Sequence, residues 1–181
     1  MPLRARGFTL VEAAVVLVIG GVVMAIALPS FSQLKRQAES RAAGHLLTSS
    51  LALARLSAVS LNAPVAVCAA TATGTCRSDG IWDEGWLVYR DARRLGRPAD
   101  PGAIIQQVGP GDVAPGLRVR SSRHRSQARF LPDGRSSGSN LSILICHPDA
   151  HIQTVRVIVN NAGRVRSERR AGSSPAPECG Q

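Results

Sequence analysis

An uncharged run near the N-terminus is the strongest constraint on how this chain can fold. Residues 13–28 carry no charged side chain, and within residues 8–28 the only charge is that of Glu12. A helix over residues 8–28 would rise about 31 Å, which is enough to cross the hydrocarbon core of a bilayer. Arg4 and Arg6 precede the run, so we expect the N-terminus to stay in the cytoplasm. The rest of the chain would then lie in the periplasm of a Gram-negative cell.

Two other interpretations of the run are weaker. A cleavable secretory signal would need small residues at a cleavage site after the run, but the run continues through Leu28, Pro29 and Ser30 into a further helical pattern. A buried core helix is the other alternative, and 16 consecutive uncharged residues argue against it. The sequence therefore predicts a single-pass anchor in the inner membrane.

The residues around the start of the run form a motif. GFTLVE at residues 7–12, followed by an apolar run that ends at Pro29, resembles the class III signal of type IV pilins and type II secretion pseudopilins. The resemblance implies that a prepilin peptidase cuts after Gly7 and that Phe8, the new N-terminal residue, is then methylated. Glycine suits such a cut because a residue without a side chain lets a protease approach the backbone closely.

The position of Glu12 in the apolar run is energetically unfavourable for a carboxylate. A carboxylate near hydrocarbon costs several kcal/mol unless it is paired. The resemblance implies that its partner during filament assembly is the amine of Phe8, either its own or a neighbouring subunit's. In the alternative, Glu12 lies at headgroup depth, where the cost is small. The partners expected from the resemblance are the peptidase, the inner membrane and other minor pilins or pseudopilins.

After Pro29 the pattern stays helical but becomes amphipathic. Apolar residues recur at spacings of four and three, and they are Leu47, Leu51, Ala54, Ala58 and Leu61. Asn62-Ala63-Pro64 then ends the helix. The sequence predicts a leader at residues 1–7, a transmembrane part of the helix at 8–29 and an amphipathic part at 30–61.

Beyond the helix, short apolar segments alternate with Gly, Pro and Ser, which predicts strands. They lie at residues 64–68, 85–89, 104–108, 117–120, 128–131, 141–146 and 154–160. Because no helix separates them, we expect antiparallel sheets packed on the helix, an α+β architecture that is the type IV pilin fold. The β-rich head would cover residues 62–166, and residues 167–181 would form an irregular basic tail.

Further segments resemble one branch of these proteins, the GspH/FimT family. They are LARLSA at 53–58, NAPVAVC at 62–68, WDEGWLVYRD at 82–91, FLPDGR at 130–135 and GRVR at 163–166. The family patterns that they resemble include W..GW.VF.D, F.PDG and GRxR, and the resemblance extends from about residue 4 to 170. The chain departs from the family at Leu56, where Ser-Glu is usual, and after Asp91, where it is rich in arginine.

The four cysteines form an even number, as two disulfides in an oxidising compartment require. Cys68 and Cys76 flank a small flexible loop that a local disulfide could close. Cys146 ends a strand and Cys179 lies in the tail, so a second disulfide would tie the C-terminus to the sheet. The alternative is a metal site made of Cys146, His147, His151 and Cys179. That set lacks the double spacing of a zinc ribbon, and periplasmic thiols would oxidise, so we expect no metal.

The sequence offers no framework for catalysis. No Gly-x-Ser-x-Gly elbow presents a nucleophile, and no glycine-rich loop could hold a phosphate. Asp83 and Glu84 are the only adjacent acidic pair, and their position between two tryptophans favours a turn over a calcium site. His124 lies among arginines, as a solvated loop residue would. We therefore expect a protein that is not an enzyme and that needs no cofactor.

Positive charge is concentrated in the second half of the chain. Residues 8–112 contain 9 basic and 8 acidic residues, whereas residues 113–181 contain 11 arginines and 4 acidic residues. These arginines fall mostly into two clusters: Arg118, Arg120, Arg123, Arg125 and Arg129; and Arg156, Arg164, Arg166, Arg169 and Arg170. Guanidinium forks suit phosphate oxygens, and the scarcity of aromatic residues favours a duplex backbone over stacked single strands. Compositional drift in a GC-rich genome, lipopolysaccharide and an acidic partner subunit are the alternatives.

The sequence thus predicts a minor type IV pilin-like subunit, assembled into a pilus or pseudopilus, whose basic head binds double-stranded DNA for natural transformation. The predicted DNA-binding residues are Arg156, Arg164, Arg166, Arg169 and Arg170. Strand alternation would place Arg164 and Arg166 on one face, opposite Val165. The alternative function is that of minor pseudopilin H of a type II secretion system, whose head contacts other pseudopilins or secreted proteins.

Overall fold

The structure, a computed structural model, describes residues 7, 9–122, 125–138, 140–148 and 153–170. Within these residues, one long helix is followed by eight strands and a 3-10 turn. The elements are α1 Leu10–Ser60, β1 Val65–Ala69, β2 Trp86–Arg90, a 3-10 turn at Pro101–Ala103, β3 Ile104–Val108, β4 Arg118–Ser121, β5 Gln127–Phe130, β6 Leu141–Cys146, β7 Thr154–Val159 and β8 Val165–Arg170. Every strand predicted from the sequence is present, with boundaries within one residue of those expected.

The helix α1 begins with a capping pattern. Oγ1 of Thr9 accepts the backbone N–H of Glu12 at 3.2 Å, and the carbonyl oxygen of Thr9 accepts the N–H of Ala13 at 3.1 Å. Thr9 is therefore the N-cap, and Glu12 occupies the third helical position, where a carboxylate also opposes the positive end of the helix dipole. The motif that resembles a cleavage signal thus also contains the start signal of the helix.

The chain divides into two compact units, with the boundary between Arg36 and Gln37. In the first unit the helix exposes most of the large apolar side chains described between Leu10 and Leu34. By length and composition α1 could cross a membrane, in agreement with the predicted anchor.

The second unit contains two four-stranded antiparallel sheets. The first has the strand order β3-β2-β1-β5, and the second has the order β4-β6-β7-β8. The apolar stripe of the helix is buried against their inner faces at Leu47, Leu51, Ala54 and Ala58. Leu61 was predicted to belong to this stripe, but it is half-exposed because the helix ends at Ser60.

A glycine sets how closely the helix approaches the second sheet. A Cβ on Gly44 would lie 2.7 Å from Cγ1 of Val155, well inside van der Waals contact. The branched side chain of Val155 has little freedom to move aside. Gly44 therefore lets the helix lie directly against β7.

The predicted irregular tail is wrong for its first four residues. Strand β8 runs to Arg170 and pairs with β7 over its whole length, from Val159 opposite Val165 to Thr154 opposite Arg170. Only Val165 contributes to the core, so a pattern of alternating apolar residues is missing from this edge strand. Residues 171–181 lie outside the described part of the chain.

Candidate functional site

The solvent face of the second sheet carries a group of arginines that we call the arginine face. Register places Arg120, Leu144, Arg156 and Glu168 in one row across β4, β6, β7 and β8. Alternation then puts further arginines on the same face. The full set is Arg118, Arg120, Arg156, Arg164, Arg166 and Arg170. The opposite face of β7 carries Val155, Val157 and Val159, which are buried in the core as the alternation predicted.

The tight turn between β7 and β8 positions Arg164, the residue directly before β8. Asn160 accepts the N–H of Gly163 on its backbone oxygen at 2.9 Å and the N–H of Arg164 on Oδ1, also at 2.9 Å. Gly163 has a φ of +72°, the left-handed region that favours glycine. The turn therefore sets the direction in which Arg164 enters β8.

The same turn packs directly on a second turn, at residues 132–134. A Cβ on Gly163 would overlap the carbonyl oxygen of Gly134 and lie 3.0 Å from its carbonyl carbon. Next to this contact the N–H of Ser136 donates to the oxygen of Asn161 at 3.0 Å. Two of the motifs that resemble family patterns, FLPDGR and GRVR, thus meet in the folded head.

A third motif joins this contact from the helix. Nε of Arg55 donates to the carbonyl oxygen of Gly134 at 2.9 Å across a sequence separation of 79 residues. Sequence reasoning assigned Arg55 no role. Only the packing of the turn on α1 shows that Arg55 anchors the segment against which Gly163 lies.

The arginines on and beside β8 are the most accessible of the predicted site residues. The side chain of Arg166 is 63% exposed and lies 3.3 Å from the carboxylate of Glu168, which is 54% exposed. Arg164, Arg169 and Arg170 are also exposed, and within the described residues their guanidinium groups have no ion-pair partner. Exposed ion pairs such as Arg166–Glu168 are weak and are broken easily by a competing anion.

The five predicted DNA-binding arginines do not all lie on the same face of the sheet. Arg169 is opposite Val155 in the register of β7 and β8, so alternation directs it to the side of the sheet that carries the helix. Arg156 lies in the centre of the arginine face but is half-buried and already engaged with another group. The structure therefore brings Arg156, Arg164, Arg166 and Arg170 together and separates Arg169 from them.

Most arginines of the other basic cluster, around residues 118–129, already interact with other groups of the protein. Arg129 forms an ion pair with the buried Asp91 at 2.6 Å, and Arg120 forms one with Asp83. Arg118 and Arg125 are engaged as well, and Arg123 lies outside the described residues. Asp83 and Asp91 are distant in sequence from Arg120 and Arg129, so the sequence alone shows the cluster of positive charge but not its neutralisation.

The adjacent acids Asp83 and Glu84 have structural partners. Asp83 accepts the N–H of Val119 at 2.6 Å, and Glu84 accepts the N–H of Ala72 at 2.7 Å. Glu84 also lies 3.1 Å from Arg77. Among the residues that the structure describes, no three His, Cys, Asp or Glu side chains are grouped as metal ligands would be.

Two acidic groups near the first sheet have shifted pKa values. Hydrogen bonds from Arg77 hold the pKa of Asp79 below its usual value. Burial, assisted by the nearby charge of Asp91, raises the pKa of Tyr89. The Tyr89 hydroxyl therefore stays protonated at neutral pH and donates to Gln127 at 3.3 Å. Both shifts move the pKa away from neutral pH.

One of the two expected disulfides is present. Cys68 is bonded to Cys76, with their Cα atoms 5.7 Å apart, and this bond closes the predicted loop. The expected Cys146–Cys179 disulfide involves a residue outside the described part of the chain and stays a prediction. Of the residues predicted to be processed, Gly7 is exposed and Phe8 is not described.

Comparison with known protein families gives two matches. Residues 43–163 match a family described as type II transport protein GspH. Residues 3–28 match the prokaryotic N-terminal methylation motif. A comparison with curated proteins gives no match.

Solved structures of similar fold include the type IV minor pilin FimU of Pseudomonas aeruginosa in two crystal forms. One is 21% identical, with a TM-score of 0.61 over 78% of this chain and 98% of that chain. The other is 20% identical, with a TM-score of 0.57 over 74% and 98%. The minor pseudopilin EpsH from the type 2 secretion system of Vibrio cholerae is 14% identical, with a TM-score of 0.48 over 76% and 98%. The likeness to FimU confirms the predicted fold, a long N-terminal helix packed on antiparallel sheets.

Proposed function

Because the chain belongs to the GspH family of type II transport proteins, we propose that it is a minor pilin-like subunit whose arginine face binds double-stranded DNA. The N-terminal methylation motif supports processing by a prepilin peptidase and assembly with other pilins. The apolar helix would anchor the subunit in the inner membrane until assembly, with the head in the periplasm. DNA captured by the assembled fibre would be taken up in natural transformation.

The observation that carries the DNA proposal is the set of arginines on one sheet face. Arg166 and Arg170 lie along β8 and Arg164 directly precedes it, with Arg156 beside them on β7 and Glu168 as the carboxylate between Arg166 and Arg170. Alternate residues of a strand are about 6.8 Å apart, close to the rise of two base pairs along a duplex. A guanidinium group can donate two parallel hydrogen bonds to a phosphate. The face can therefore follow a phosphate backbone without reading base sequence.

Salt dependence tests this proposal on the full-length protein in a neutral detergent. If four arginines neutralise phosphates, a plot of log affinity against log salt concentration should have a slope of about −3.6. Arg164→Ala combined with Arg166→Ala should make that slope less steep by about 1.8 and weaken binding to duplexes of any sequence. Fluorescence anisotropy with a labelled duplex over a series of salt concentrations measures both quantities.

A matched control removes two positive charges from another part of the chain. Lys35→Ala combined with Arg36→Ala should leave the slope unchanged, because these residues lie on α1 and not on the head. If both double variants change binding equally, only net charge matters and the arginine face is not a site. Wild-type protein without salt-dependent binding would refute the DNA proposal. A role as minor pseudopilin H in secretion would then replace it.

Processing gives a separate prediction. Cleavage after Gly7 should yield a mature chain that begins at Phe8 with a methylated amine, free to pair with Glu12 of its own or a neighbouring subunit. Gly7→Leu should leave the full-length precursor in the inner membrane, because a bulky side chain keeps the peptidase from the backbone. Mass spectrometry of the N-terminal peptide decides the question. An intact Met1 in the wild-type protein, or a cut near Ala27, would contradict the proposed processing.

A further inference from the structure

A second group of exposed arginines lies far from the arginine face in sequence. They are at the end of β2 and in the loop that follows it, at Arg90, Arg93, Arg94 and Arg97. Throughout the part of the chain that the structure describes, none of these four guanidinium groups has a hydrogen bond or ion pair. In contrast, the charges of Arg120 and Arg129 are neutralised by Asp83 and Asp91. Four uncompensated charges within eight residues form a strongly positive surface.

Three of these arginines line one cavity. Arg90, Arg93 and Arg97 surround a volume of about 180 Å³, and we call these three the loop arginines. Two carboxylates, of Asp91 and Asp100, line the same cavity. The charge of Asp91 is already neutralised by Arg129, so the cavity keeps a net positive charge and has room for a phosphate group.

The loop is held in place before any ligand arrives. The buried carboxylate of Asp91 accepts the N–H of Leu95 at 2.7 Å and that of Gly96 at 3.3 Å. The backbone N–H of Asp91 donates to the oxygen of Pro64 at 2.8 Å, just beyond the end of α1. The free-energy cost of ordering the backbone on anion binding is therefore small, although the arginine side chains still lose conformational freedom.

A row of backbone segments connects this loop to the turn that precedes the arginine face. Arg90 is paired with Val65, and Val65 is paired on its other side with Phe130. Phe130 forms a bridge with Ser136, and the N–H of Ser136 donates to Asn161. Four steps of about 4.8 Å place the Cα atoms of Arg90 and Asn161 at most roughly 20 Å apart. Arg164 and Arg166, which follow this turn, thus lie at the same end of the head as the loop arginines.

From this placement we propose that the loop arginines form a second phosphate-binding site for the same DNA duplex. The inference rests on the proposed function and adds the path of the DNA. A duplex covers 20 Å in about six base pairs, so one short segment reaches both groups. The DNA lies across the end of the head where α1 ends, with one part on Arg164 and Arg166 and the other on the loop arginines.

The test compares two double variants of the full-length protein in a neutral detergent, with a labelled duplex longer than about six base pairs as the probe. Arg93→Ala combined with Arg97→Ala should make the salt slope less steep by about 1.8, as much as the Arg164/Arg166 variant does. With the three loop arginines added to four of the arginine face, the wild-type slope should be about −6.3, and the variant that combines all four substitutions should lose about 3.6 of it. Arg93→Lys combined with Arg97→Lys keeps the charges and should retain the wild-type slope. Thermal unfolding of each variant verifies that the head is intact.

The outcomes separate this inference from the proposal on which it rests. If the loop variant keeps the wild-type slope while the Arg164/Arg166 variant loses it, the second site is refuted and the DNA-binding function stands. If the loop variant loses slope and the Arg164/Arg166 variant does not, the loop is the site and the arginine face is not. Wild-type protein that shows no salt-dependent binding overturns both.

Discussion

Replacing Gly163 with alanine should lower the stability of the head by about 3 kcal/mol, which corresponds to a Tm lower by roughly 6 to 12 °C. Two costs add. A non-glycine residue at a φ of +72° costs roughly 1–2 kcal/mol. The new Cβ would also overlap the carbonyl oxygen of Gly134, and a backbone atom cannot turn aside as a side chain can. Relief of the overlap requires the two turns to separate, which breaks the hydrogen bond from Ser136 to Asn161.

Gly111→Ala is the matched control for this prediction. A Cβ on Gly111 would meet no atom within 4 Å, and its φ is not in the left-handed region. Its effect should stay within about 0.5 kcal/mol, as for most surface substitutions. Differential scanning fluorimetry of both variants in the same detergent measures the difference. Equal Tm values would mean that the packing of Gly163 on Gly134 does not support the head.

The Gly163 variant also separates two roles inside one motif. The glycine of GRVR acts on the fold, through its conformation and its contact with Gly134, whereas Arg164 and Arg166 point to solvent. We therefore expect Gly163→Ala to lower stability and to weaken DNA binding indirectly, by displacing the turn. The Arg164/Arg166 variant should weaken binding at unchanged Tm.

The elements of the fold were predictable because each depends on a local pattern. The apolar run, the stripe at Leu47 and Leu51, and the alternation in Val155, Val157 and Val159 are all visible within a few residues. Strand β8 was predicted only at its start because it is an edge strand with charged residues on both faces. Such charges protect an edge from pairing with another chain. They also leave the strand without the alternating apolar residues by which strands are predicted from sequence.

The roles of individual arginines were not predictable in the same way. Arg129 lies 38 residues from its partner Asp91, and Arg55 lies 79 residues from Gly134. In the sequence these arginines resemble Arg164 and Arg166, and only the sheet register separates a neutralised guanidinium from an accessible one. The arginine-rich segment after Asp91 was seen in the sequence as a departure from the family pattern. Only the pairing of β1 with β2 and β5 shows that this segment lies at the same end of the head as the turn between β7 and β8.

Asp91→Ala is the second substitution for which we expect a large loss of stability. Its side chain is 1% exposed and pairs with Arg129, whose side chain is 18% exposed. Asp91→Ala would leave a largely buried guanidinium without its counter-ion, and the N–H groups of Leu95 and Gly96 without an acceptor. The loss of one partner from a buried pair costs about 3–5 kcal/mol. Because Arg129 retains some contact with solvent, we expect a loss of about 3 kcal/mol in thermal or urea unfolding.

A double-mutant cycle distinguishes this ion pair from ordinary packing. Arg129→Met removes the cation but keeps most of the side-chain volume, so Asp91→Ala combined with Arg129→Met should be more stable than Asp91→Ala alone. Glu168→Ala breaks an exposed pair and should cost about 0.5 kcal/mol or less. If the loss at Asp91 is no larger than at Glu168, the buried pair does not stabilise the head. The same result would remove the reason for regarding the loop arginines as held in place, since Asp91 is the group that fixes the backbone between Arg93 and Arg97.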